Sequence, residues 1–130
     1  MALVTVFLVL GLSSQAAAFS VDSLREESVV EILTHDWEGA LRDTKVWVVV
    51  VGDAGYIRTN DSRWLANIRR GSDVALRVRG VEHVFRADEI DDTSVYDRVE
   101  AAFVEKYGWM QRVMSAFRIS RPTILRMTPL

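Results

Sequence analysis

The residues with the most chemistry to offer fall in one run, Arg58-Thr59-Asn60-Asp61-Ser62-Arg63. It offers guanidiniums, hydroxyls and an amide, and arginine favours bidentate contact with phosphate or carboxylate. If the protein has a ligand, its phosphate is expected there. The plainer alternative is a solvated turn and helix cap, with Arg63 paired to Asp61 or Asp53. Other constellations carry less. His35 and His83 lie far apart without partners at ligand spacing, so surface histidines and no metal site are expected. Asp88-Glu89-Ile90-Asp91-Asp92 lacks the glycine and closing glutamate of a calcium loop and reads as a solvated acidic turn. No Ser/His/Asp nucleophile arrangement can be argued, and Ser115 and Ser120 have no identifiable base. Trp37, Trp47, Trp64 and Trp109 read as core residues, as do Met110 and Met114.

The chain that must position this run has 130 residues and a net charge of −2, with 49% hydrophobic and 26% charged residues. That is one domain with enough apolar content for a core. No single-sign field points to nucleic acid or an anionic membrane. The cations are fourteen arginines and two lysines, Lys45 and Lys106. A GC-rich genome is the bland account of that skew. There is no cysteine, which excludes disulfides, zinc thiolate sites and thiol nucleophiles.

Met1 to Val21 carries no charged side chain. An apolar run, Ala2–Leu12, is followed by Ser13-Ser14-Gln15 and then Ala16-Ala17-Ala18. This pattern predicts a secretory signal over residues 1–18, cleaved after Ala18, and export to the periplasm or outside the cell. An uncleaved N-terminal membrane anchor is the alternative. The run is short of the roughly 20 apolar residues of a membrane span, so no stable span is expected in the mature form.

Residues 19–40 read as an N-terminal helical segment. Ser20 to Ser23 offer caps, and Leu24, Val29, Ile32 and Leu33 recur at near-helical spacing as far as His35. Asp36 to Thr44 reads as a loop. The domain proper, 41–130, is expected to hold about five strands. Val46–Val51 is an unbroken β-branched and aromatic run suited to a strand covered on both faces. Gly52-Asp53-Ala54-Gly55 makes a hairpin into Tyr56–Thr59. Asn60-Asp61-Ser62 caps a short helix, Arg63–Arg70, that Gly71 stops. Val74–Arg79 and Val81–Ala87 alternate as a hairpin about Gly80. Helices are expected over Val95–Tyr107 and Trp109–Phe117, and a last strand over Thr123–Met127. Short antiparallel hairpins without a βαβ rhythm predict an α+β fold, a small antiparallel barrel with peripheral helices.

The order of these pieces resembles the split β-barrel flavin-binding superfamily typified by pyridoxamine 5′-phosphate oxidase. The matching residues are Val46–Val51, Gly52–Gly55, Tyr56-Ile57-Arg58-Thr59-Asn60, Ser62-Arg63 and Val74-Ala75-Leu76. Glu105-Lys106-Tyr107-Gly108 and the end from Pro122 to Pro129 resemble an uncharacterised, nitroreductase-like branch. The resemblance covers Leu41 to Leu130. It implies a split β-barrel homodimer with flavin mononucleotide (FMN), or a deazaflavin, at the subunit interface. Carried over by position, Thr59 and Ser62 would offer hydroxyls to the phosphate, Asn60 an amide and Arg63 a bidentate guanidinium. Arg58 and Lys45 would add cations. Trp64 stands where the better-known members have lysine, which removes one phosphate cation; its indole would stack on a ring or pack the helix. The implied function is a flavin- or deazaflavin-dependent reductase of a small oxidised substrate. The alternative is an exported, non-enzymatic domain on the same scaffold that binds haem or an anionic metabolite.

Overall fold

The computed structural model describes residues 19–108 and 121–130. The expected signal and the expected helix Trp109–Phe117 lie outside the described residues. A short 3-10 helix, Val21–Glu26, opens the described chain. Seven strands follow, β1 (Val30–His35), β2 (Leu41–Val46), β3 (Val49–Val51), β4 (Ala54–Thr59), β5 (Val74–Val78), β6 (Val81–Glu89) and β7 (Thr123–Pro129). Helix α1 (Arg63–Arg69) sits between β4 and β5, and α2 (Thr93–Tyr107) follows β6. The strands form one sheet in the order β2-β1-β5-β6-β7-β4-β3, with every neighbouring pair antiparallel. Two strands more than expected are present.

The sheet must curl. β2 and β3 occupy its opposite edges, yet only Trp47 and Val48 separate them in the chain. Three steps between consecutive Cα atoms span at most about 11 Å, so the edges meet and the sheet becomes a split barrel. Leu24, Ile32, Val48, Ile57, Leu76 and Leu125, all at 0% exposure, belong to the larger core. A second core lies between α2 (Tyr96, Val99, Phe103) and Val49, Tyr56 and Ile124 of β3, β4 and β7.

The seam is closed by side chains. The Trp47 ring stacks on Tyr107 at 4.2 Å and 5°. The Tyr107 hydroxyl accepts from the Val48 backbone N–H at 3.0 Å, and the Ser28 carbonyl stands 2.9 Å from it. Lys106 Nζ donates to the carbonyls of Val48 (2.6 Å) and Leu24 (3.2 Å). On the free edge of β3, Arg25 donates to the Gly52 carbonyl at 2.8 Å and the Val50 carbonyl at 3.4 Å. Groups that an edge strand leaves open are thereby paired.

Three expectations are corrected. The helical segment expected over residues 19–40, running to His35, is helical only as the 3-10 turn Val21–Glu26; Val30–His35 is an interior strand between β2 and β5. Its β-branched residues favour a strand. Leu33 mimicked helical spacing because it is buried on the face of β1 opposite Val30 and Ile32. The loop over residues 36–44 contains most of β2, whose polar composition suits an edge strand. The run Val46–Val51 is not one strand: it crosses the seam at Trp47 and Val48. Both expected hairpins are present, but the turn of the first is Gly52 and Asp53 alone, because Ala54 and Gly55 already pair with Val51 and Val50. Arg79 and Gly80, with φ of +50° and +78°, form the two-residue turn between β5 and β6.

Candidate functional site

A cleft of about 820 Å³ lies between α1 and the β1–β2 hairpin. Pockets for small molecules fall in the range of about 300–1,000 Å³. Asp36, Trp37, Leu41 and Arg42 form one wall, and Asp61, Ser62, Arg63, Arg69 and Arg70 are on the other.

The hairpin tip is tied by hydrogen bonds. The Asp36 carboxylate accepts from the N–H groups of Glu38 and Ala40, both at 2.9 Å. The Asp36 N–H donates to the Ala40 carbonyl, and the Gly39 N–H to that of Asp36. Gly39 closes the turn at φ +83°, a conformation that disfavours side chains. Trp37 is held at this tip 78% exposed, an unusual position for an indole.

A polar floor lies beneath. Thr34 pairs across the ladder with Arg42 and is fully buried, as nearly is Asn67 of α1. Asn67 Nδ2 donates to Thr34 Oγ1 at 3.1 Å, and its Oδ1 accepts from Arg70 Nη2. Arg42 Nε is buried and has no hydrogen-bond partner among the described residues. On the other wall the Ser62 hydroxyl accepts from the Leu65 N–H at 3.2 Å and caps α1. Arg69 forks onto Glu89 at 3.1 and 2.5 Å. Those hydrogen bonds hold the Arg69 guanidinium above its ordinary pKa and the Glu89 carboxyl below its own. Among the described residues Arg42, Arg63 and Arg70 have no carboxylate partner. The cleft therefore has an excess of positive charge beside an exposed aromatic ring.

The run singled out in the sequence is divided by the fold. Ser62 and Arg63 line the cleft with Asp61. Arg58 turns under α2, 2.7 Å from Glu100 and 4.0 Å from the centre of the Phe103 ring. Thr59 ends β4 in register with Thr123, and Asn60 is exposed after it. Trp64 is 4% exposed in the barrel core, so it packs α1 down. Lys45 is exposed opposite Glu31, three positions along β2 from Arg42 and therefore on its other face. Sequence reasoning missed Trp37, Arg42, Asn67 and Arg70. The available signal was Asp36-Trp37-Glu38-Gly39, in which aspartate and glycine mark a turn that leaves the indole outside.

Residues 20–127 match the sequence profile of one family, over most of the chain. The chain belongs to the family described as uncharacterized protein conserved in bacteria (DUF2255). No curated protein matches this DUF2255 chain in sequence. Solved structures match it in shape. The haem storage protein HutZ of Vibrio cholerae superposes with a TM-score of 0.66 at 14% identity, over 85% of this chain and 87% of that one. A putative pyridoxamine 5′-phosphate oxidase from Listeria innocua gives 0.58 at 13%, over 82% and 86%. An FAD-binding protein from Mesorhizobium loti gives 0.59 at 12%, over 83% of each chain. The DUF2255 chain thus has the split-barrel fold of these proteins. Among the described residues no helix is long and apolar enough to cross a membrane, and no three His, Asp or Glu side chains are grouped to hold a metal ion.

Proposed function

We propose that the cleft between α1 and the β1–β2 hairpin binds a flavin-type cofactor, FMN or a deazaflavin, and that the protein is a reductase of a small oxidised substrate. The observation that carries this reading is the donor set. Ser62 and an Arg63 without a carboxylate partner among the described residues line a cleft of about 820 Å³. A phosphate suits such donors. Arg63 would hold the phosphate and Ser62 would position it while capping α1. Arg58 and Trp64 are engaged elsewhere, in an ion pair and in the core. When bound, such a cofactor supplies the hydride chemistry, while the chain's own residues bind it, orient it and shield part of it from water. The likeness in fold to the FAD-binding protein of Mesorhizobium supports the choice of a flavin.

The test is the absorbance spectrum of the purified protein followed by titration with FMN and a deazaflavin. Tight FMN binding that is lost in Arg63→Ala is the expected outcome. A colourless protein indifferent to both overturns the reading. The second reading is a non-enzymatic haem-binding domain. It draws on the likeness to HutZ and on exposed His35, which immediately precedes the hairpin turn and whose backbone N–H donates to Ser72 Oγ at 2.9 Å. A Soret band on addition of haemin, abolished in His35→Ala, would favour it. Export belongs to the same proposal: mass spectrometry of secreted material should find a chain beginning at Phe19, and an intact Met1 would overturn cleavage.

A further inference from the structure

Arg42 Nε is the buried side-chain donor that lacks a partner among the described residues, and it lies in the wall of the cleft. Folding rarely leaves such a group unpaired, because its lost hydration is not replaced. Two of the other cations on the lining have protein acceptors: Arg69 is forked onto Glu89, and Arg70 is bonded to Asn67 Oδ1 and the Ala66 carbonyl. Arg42 shares its strand face with Thr34, whose hydroxyl is already taken by Asn67. Its position therefore suits an acceptor brought by a ligand. On the same hairpin Trp37 is 78% exposed, on a tip where the N–H groups of Asp36, Glu38, Gly39 and Ala40 are hydrogen-bonded, and Leu41 is 56% exposed. An indole presented in this way is a stacking surface for a planar ring.

From these observations we infer that the β1–β2 hairpin is the jaw facing α1: Arg42 takes the anionic group that Arg63 meets from the other side, and Trp37 covers the planar ring. This rests on the cleft being the cofactor site, and it specifies the ligand class as a planar ring system ending in a phosphate or carboxylate. FMN and haem both answer to that description.

The full chain is titrated with FMN, with riboflavin (the same ring without phosphate), with haemin and with haemin dimethyl ester. Arg42→Gln should weaken FMN by roughly tenfold or more, the range of a charge-assisted hydrogen bond, and leave riboflavin unchanged. Arg42→Lys, which keeps the charge without the fork, should recover part of the loss and stands in should the glutamine variant not fold. Trp37→Leu should weaken both flavins by the same factor, roughly fivefold or more, as expected for a lost stacking partner. An unchanged preference for FMN over riboflavin in both Arg42 variants overturns the anion role. Unchanged affinity for both flavins in Trp37→Leu overturns the stacking role. If the unmodified chain ignores flavins and takes haemin, the flavin reading fails; the preference for haemin over its ester in the Arg42 variants then decides the role of Arg42, and the affinity for both in Trp37→Leu decides that of Trp37. Binding of none of the four ligands overturns the reading and the inference together.

Discussion

Arg58 and Arg63 stand five residues apart and meet opposite fates. Arg58 has a side chain 6% exposed, bonded to Glu100 and lying over Phe103. Arg63 is exposed on the cleft wall. Removing the carboxylate from the first pair takes a 2.7 Å acceptor away from a guanidinium that is largely out of water. Glu100→Ala should therefore lower unfolding free energy by about 3 kcal/mol, read from the urea midpoint. Arg63→Gln should shift that midpoint little, because surface substitutions usually fall within about 0.5 kcal/mol. Equal effects of the two variants would contradict this division. The sequence showed that both cations flank a cap, and Ser62 does cap α1. It did not show which guanidinium turns inward, because the acceptor for Arg58 comes from a helix 42 residues away.

At the scale of elements, α2 does two jobs, which its two ends display. Its N-terminus is capped by Asp92, whose carboxylate accepts from the Val95 N–H at 3.0 Å. That bond and the Ser94 hydroxyl hold the Asp92 pKa below its ordinary 3.8. The folded state thus favours the ionised carboxylate. The cap's contribution is complete above pH 3.8 and is lost as pH falls through the depressed folded value. Asp92→Asn keeps an acceptor without the titration, so its urea midpoint should fall less than the parent's between pH 5 and pH 3. The other end of α2 clamps the barrel seam. Tyr107→Phe removes the hydroxyl that accepts from Val48 N–H, and a buried donor left unpaired costs about 1–3 kcal/mol. The same variant should speed amide exchange at Val48, and unchanged protection there would argue against the clamp. The extent of α2, expected over Val95–Tyr107 and found over Thr93–Tyr107, was legible in the sequence. Its docking was not, since the Trp47–Tyr107 contact joins positions that no local pattern relates.

For the molecule as a whole, the barrel is sealed by a residue outside the sheet. Leu24 of the 3-10 helix is fully buried, and its Cδ1 would stand 3.0 Å from a Cβ at position 55, so Gly55 makes room for it. Leu24→Ala should cost roughly 2–5 kcal/mol, the range for a large-to-small change in a core. Gly55→Ala should also destabilise, by pushing Leu24 away. A ligand that binds only the folded chain adds stability by mass action, about 2.7 kcal/mol at a hundred times its Kd. FMN at that excess should therefore raise the thermal midpoint, and Arg63→Ala should abolish the rise.

The amino-acid sequence by itself determined the turns, the caps and most of the strands, because glycine, aspartate, serine and β-branched runs act through local backbone energetics. It also carried the split-barrel resemblance in the order of those pieces. Tertiary structure alone decided that residues 30–35 are an interior strand, that the valine run crosses a seam, and that Arg42 and Trp37 face Arg63 across a cleft. Each of these depends on which distant segments supply hydrogen-bond partners and cover. A strand's place in the sheet, like the exposure of a tryptophan, is set by neighbours remote in the chain.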